Sequence, residues 1–247
     1  MTPTPVGMRC PECSRQRTRV TTARAFTRGA TPVVTYALIA ANVVVELIVL
    51  ASGSGGVLSG VGASKLVTDG ALSRDTVASG EVYRLVTSGF LHAGLLHLLF
   101  NMFMLWILGT MLEPAVGRLR FTILYFVSLL AGSFGALLAQ PHGLTLGASG
   151  AVFGLAGAGV VVLRHRGIDP MQSGLGFFIL FNLLLSFRPG ISVGGHIGGL
   201  IGGAIAAWLM YYAPQRMRMP EFVPLLLSAV IGGAAVAGAI AVSGSAG

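Results

Sequence analysis

The sequence predicts an all-α, polytopic membrane helix bundle, and three observations carry that prediction. Hydrophobic residues make up 54% of the 247 positions and charged residues only 10%, against about 25% charged in ordinary soluble domains. Several runs of roughly 20 residues are almost free of charge, which is enough to cross ~30 Å of hydrocarbon. The turns between most of the runs are short, and three of them carry paired arginines (Arg118 and Arg120, Arg164 and Arg166, Arg216 and Arg218). The 36 glycines point to a tightly packed bundle, because glycine lets membrane helices approach backbone to backbone. The net charge of +8 is accounted for by arginines flanking spans, so no nucleic acid partner is expected; the partner surface is the lipid bilayer.

Taken in order, residues 1–30 read as a basic cytoplasmic tail with no signal-peptide pattern. The tail holds a Cys10-Pro-Glu-Cys13 pair. A structural disulfide is not expected on the cytoplasmic side. Zinc would need four ligands, and no histidine lies nearby. The first span is expected from about Thr31 to Ala51, with Asn42 and Glu46 turned inward or towards an interface. A Gly- and Ser-rich loop follows to about Phe90, without clear secondary structure; a loop that long is usually functional or partly ordered. The second span runs from about His92 to Leu112 and is closed by Glu113-Pro114. Further spans cover about Phe121–Ala139, Ala148–Leu163, Met171–Phe187, Gly194–Tyr212 and Phe222–Val242. The organisation is therefore a tail (1–30), a six-span core (31–212), and a linker with a seventh span (213–247).

Basic residues fix the expected orientation. With the N-terminus inside, cytoplasmic segments hold 12 of the 16 lysines and arginines. Lys65, Arg74, Arg84 and Arg188 fall outside. The bias holds loop by loop, so the C-terminus is expected outside, in a plasma (inner) membrane protein.

Polar residues inside the spans single out a site. Ser149 is 15 residues from Arg164, Asn101 is 17 from Arg118, and His196 is 20 from Arg216. At 1.5 Å per residue these stand roughly 22, 25 and 30 Å above the inner boundary. All three fall in the outer half of the core, so they share a depth, and intramembrane polar clusters are functional by default. A serine needs a base to become a nucleophile, and His196 is suited to that task. Asp69, Asp75 and Asp169 lie in loops, Glu46 in another span and Glu113 at the cytoplasmic end. No acid is well placed as a third member, and Lys65, the one lysine, is outside, so a Ser149–His196 dyad remains. His97 and Asn101 are four residues apart and share a helix face. Both can donate hydrogen bonds to an oxyanion, along with the Ser149 amide in the first helical turn. His92 lies near the outer end and supports that region. Gly150 with Gly154, and Gly199 with Gly203, form two Gly-xxx-Gly pairs that would let the fourth and sixth spans touch.

These residues resemble the rhomboid family of intramembrane serine proteases over roughly residues 32–212. The motifs are Gly147-Ala148-Ser149-Gly150, His92 with His97-Leu-Leu-Phe-Asn101, and His196-Ile-Gly-Gly199-Leu-Ile-Gly-Gly203. The resemblance implies a rhomboid-like six-helix core plus one C-terminal transmembrane helix. It implies Ser149 as nucleophile and His196 as base, with His97, Asn101 and the Ser149 amide as oxyanion donors and His92 and Ala148 as supports. It further implies cleavage of transmembrane protein substrates near the external face, without cofactor. Tyr83-Arg84 stands where many members have Trp-Arg in the first loop, which touches loop anchoring rather than chemistry. Phe153 stands where many have a tyrosine stacked on the histidine, and it keeps the ring. The Cys10–Cys13 tail resembles the end of a zinc module in some actinobacterial rhomboids.

Blander readings remain in view. Ser149 alone would be a packing residue, and a lone histidine an interhelical hydrogen bond. The alternatives for the set are a non-catalytic, rhomboid-like client-binding protein, a transporter with inverted repeats, and a haem protein using His92, His97 and His196. The transporter predicts repeats that the sequence lacks, and the haem protein predicts visible absorbance.

Overall fold

The computed structural model describes residues 2–4, 7–9, 31–52, 65–140 and 142–244. Inside hydrocarbon each backbone N–H and C=O must find a partner within the protein, and a helix supplies one for nearly all of them. The apolar runs accordingly form α1 (Val33–Ala51), α5 (Leu95–Val116), α6 (Arg118–Ala139), α7 (Ser149–His165), α8 (Leu175–Leu185), α9 (Val193–Tyr211) and α11 (Phe222–Gly244). Short helices α2 (Lys65–Gly70), α3 (Arg74–Ala78) and α4 (Arg84–Thr87) lie in the described part of the first long connection, and α10 (Ala213–Met217) follows α9. A small hairpin, β1 (Thr2–Thr4) against β2 (Gly7–Arg9), is the one strand pair among the described residues. Cys10 and Cys13 lie outside the described residues.

Among the described residues, five helices are long and apolar enough to span a membrane: α1, α5, α6, α9 continued through α10, and α11. The molecule is a polytopic helical membrane bundle. α7, with 17 residues, and α8, with 11, are shorter.

Several boundaries differ from the sequence expectation. α5 begins at Leu95 rather than His92, behind Gly94 at φ 93°. It also runs through Glu113-Pro114 to Val116. Pro114 lies in its last turn, and Gly117, whose φ is 86°, ends it. The fifth span is narrower than Met171–Phe187, because left-handed Gly174 (φ 81°) starts α8 late. From Lys65 onward the first loop is ordered into short helices rather than irregular. Ser73 caps α3 in a capping box with Thr76, and the Arg74 Nε donates to the Leu137 carbonyl at 2.7 Å. Buried Arg84 is bonded to the Thr68 and Ala71 carbonyls and to Glu81. One guanidinium thus ties α2 to α4.

The core centres on α6, which packs against α9, α7 and α11. Leu105, Leu108, Leu112, Phe121, Leu124 and Leu155 fill the apolar interior. Glycines set the closest seam. A Cβ on Gly199 of α9 would overlap the Gly150 carbonyl oxygen of α7, and one on Gly203 would overlap that of Gly154. At the opposite end, the Glu113 carboxylate of α5 caps α1. It accepts from the Val34 and Thr35 amides at 2.9 and 2.8 Å and from the Thr35 hydroxyl at 2.7 Å. Those amides lie in the first turn, which has no acceptors of its own. Asn42 and Glu46 are buried on α1.

Candidate active site

α5, α7 and α9 run in the same direction, and their N-terminal ends surround one cavity of about 180 Å³. That is room for several waters. Ser149, His97, Asn101 and His196 all line it, together with Gly147, Gly150 and Phe153. Three helix N-termini facing one space also favour negative charge there.

Ser149 is the first residue of α7, and fully buried Ala148 is the N-cap position. The chain enters through Gly147, whose φ is +122° and whose N–H donates to the Ser88 carbonyl at 2.9 Å. A side chain at Gly147 would be strained by that backbone angle. Its Cβ would also sit 2.7 Å from His97 Cε1. Glycine here lets the serine turn come flush against the imidazole.

The His97 tautomer follows from a backbone contact. The Ala93 N–H donates to His97 Nδ1 at 3.2 Å, so in the neutral ring the proton is on Nε2. Asn101 spends one amide N–H on the His97 carbonyl at 3.0 Å and carries a second. His92 sits outside the spanning helices, buried, edge-to-face with His97 at 5.2 Å between ring centroids. Burial first, then the neighbouring His97, holds its pKa down to about 3, so it is a neutral wedge.

His196, in the first turn of α9, is buried under Phe153, with ring centroids 4.1 Å apart and planes 15° apart. On its other side, Nδ1 lies 2.6 Å from the Ser186 hydroxyl at the end of α8. Sequence reasoning looked for an acid as orienting group and missed this serine. Its signal was the Asn182–Ser186 pair, two polar residues four apart in an apolar run.

The remaining residues sit farther off. Tyr83 is exposed, donates to Glu81 at 3.0 Å and lies under the Arg84 guanidinium, 5.9 Å from its ring centroid. The hydrogen bond from Arg84, then that from Tyr83, keeps the Glu81 carboxyl below its usual range. Tyr83 and Arg84 are anchors of the first loop.

Chemically, the cavity offers a hydroxyl, two imidazoles, an amide and backbone N–H groups at a helix start. A hydroxyl, a base and N–H donors lining one cavity are the groups acyl transfer requires.

Comparison with known proteins places the chain in a family. The family model "Rhomboid domain" matches residues 79–213, more than half of the chain. The chain is 32% identical over 187 residues to rhomboid protease GluP of Bacillus subtilis, covering 74% of this chain and 36% of that protein. It is 34% identical over 165 residues to RHOMBOID-like protein 5 of Arabidopsis thaliana, covering 63% and 53%. It is 36% identical over 145 residues to YdcA of the same Bacillus, covering 57% and 73%. The chain thus spans between about a third and a half of the first two relatives. With the domain match, the helical membrane bundle and these relatives together, the chain belongs to the rhomboid family.

Proposed function

We propose that this protein is a serine-type intramembrane endopeptidase that hydrolyses peptide bonds in or near transmembrane segments of membrane proteins. The observation that carries the reading is the convergence of Ser149, His97, Asn101 and His196 on one cavity, with Phe153 stacked on the His196 ring. Similarity to a named rhomboid protease supports it. Ser149 Oγ attacks the scissile carbonyl carbon as its proton passes to His196 Nε2. The new oxyanion meets the His97 Nε2–H, an Asn101 amide N–H and the Ser149 backbone N–H. Collapse breaks the C–N bond, and His196 returns the proton to the leaving amine. A water then attacks the acyl-serine, with His196 again as base, and releases the acid and Ser149. The arginine bias supports an N-terminus in the cytoplasm, a C-terminus outside and a cavity opening towards the external face.

The test is labelling of purified protein by a fluorophosphonate serine probe, followed by cleavage of a model transmembrane substrate in liposomes. Wild type should label and cleave, and Ser149→Ala and His196→Ala should do neither while remaining folded. A wild type inactive in both assays would overturn the protease reading and favour a client-binding role.

A further inference from the structure

We propose that Ser186 is a positioning residue that fixes the Nδ1–H tautomer of His196, making a hydroxyl the third member of the site. The inference rests on the Ser149–His196 reading and deepens it. Ser186 is 1% exposed. Its Oγ donates to the Asn182 carbonyl at 2.7 Å and lies 2.6 Å from His196 Nδ1. A hydroxyl has one proton and two lone pairs. With the proton committed to Asn182, only a lone pair faces the imidazole, so Nδ1 must carry the hydrogen. Nε2 is then the unprotonated nitrogen, the one able to take the Ser149 proton.

The acceptor that makes this choice is itself held in place. The Asn182 carbonyl also receives the Ser186 backbone N–H at 3.1 Å, filling both of its lone pairs. The Asn182 side chain donates to the Phe178 carbonyl at 2.9 Å, which locks that turn of α8. If the hydroxyl turned to donate to Nδ1, it would give up Asn182 and push the ring proton onto Nε2, where it blocks base function. Phe153 stacked at 4.1 Å holds the plane of the ring, and Ser186 sets its rotation within that plane. When Nε2 takes a proton, Nδ1–H still donates to the same oxygen, so the contact serves both protonation states and no proton leaves through Ser186. Because the group is a neutral hydroxyl, it orients the imidazole without adding charge.

The experiment compares Ser186→Ala, Ser186→Thr and Ser186→Val with wild type in liposomes, using a model transmembrane substrate, with probe labelling and thermal midpoints as controls. Thr and Val have the same shape, so their difference isolates the hydroxyl. Ala and Val should lose about tenfold or more in kcat, the worth of one orienting hydrogen bond, with KM within about twofold, and Thr should recover most of the loss. In parallel, ¹⁵N shifts of His196 at pH 8 should show a pyrrole-type Nδ1 in wild type and mixed tautomers in Ser186→Ala. Equal kcat for wild type and Ala, or a pyridine-type Nδ1 in wild type, overturns the proposal. The nitrogen shifts need no activity. A wild type that neither labels at Ser149 nor cleaves the substrate therefore sinks the protease reading, while the tautomer still decides the role of Ser186.

Discussion

The glycine seam between α7 and α9 allows a quantitative test of how packing sets the chemistry. Consider Gly199→Ala. The added Cβ would overlap the Gly150 carbonyl oxygen and lie 2.7 Å from its carbon, where ordinary contact begins at 3.4–4 Å. Both partners are helix backbone, so no side chain can rotate away, and the two helices must part by about 1 Å locally. His196 is three residues upstream on the same helix and Ser149 is adjacent to Gly150. The separation therefore falls on the hydroxyl–imidazole pair. A misplacement of about 1 Å can cost on the order of 10²-fold in rate, and overpacking a close seam costs about 1–3 kcal/mol of stability. The assay is the initial rate on a model transmembrane substrate in liposomes, normalised to folded protein, with thermal midpoints measured alongside. The matched control is Gly233→Ala on α11, where an added Cβ meets nothing within 4 Å; its rate should be unchanged. A Gly199→Ala rate within threefold of wild type would refute the argument that this seam holds the dyad in register.

Three further predictions follow from features of different kinds. Gly147→Ala puts a side chain at φ +122° and 2.7 Å from His97; strain of about 1–3 kcal/mol and a displaced oxyanion donor should lower kcat by at least about 10²-fold, read on the same substrate. Glu113→Ala strands two amides and a hydroxyl at the start of α1 and should cost about 2–4 kcal/mol, seen as a lower thermal midpoint, with Glu113→Gln intermediate. His92 is neutral in the fold with a pKa near 3, against 6.5 in the unfolded chain. The unfolded state therefore binds more protons between those values. Stability should be level above about pH 7 and fall as pH drops through 6.5, by about 2 kcal/mol at pH 5. His92→Asn should lose less stability than wild type between pH 7.5 and 5, and an identical loss would refute the assignment.

Much of this molecule is visible in its sequence because a bilayer leaves few choices. Long apolar runs must be helices, so α1, α5, α6, α9 and α11 could be located to within a few residues. Ser149, His97, Asn101 and His196 stand out because a hydroxyl, an amide and two imidazoles have no reason to be in hydrocarbon without a shared purpose. What stayed hidden depends on contacts between distant segments. α2, α3 and α4 are too short to show a period, and their order comes from Arg74 and Arg84 reaching carbonyls 13 or more residues away. Glu113 read as a span terminator, because nothing local shows that its carboxylate reaches α1, 78 residues earlier. Ser186 gave no signal of its own, because its partner His196 lies on another helix, ten residues on.

The short length of α8 has a consequence for the membrane itself. Eleven residues rise only about 16 Å, while α5 and α6, with 22 residues each, rise about 33 Å. Phe177, Leu180, Phe181 and Leu184 of α8 are exposed, so lipid tails meet this short wall directly. Acyl chains cannot match both heights at once, and next to α8 they must shorten or splay. α8 also forms one wall of the cavity through Phe178, Asn182, Leu185 and Ser186. A bilayer that followed the height of α8 would be thinnest beside the cavity that Ser149 and His196 line. Thickening the host bilayer would then raise the energy of that mismatch.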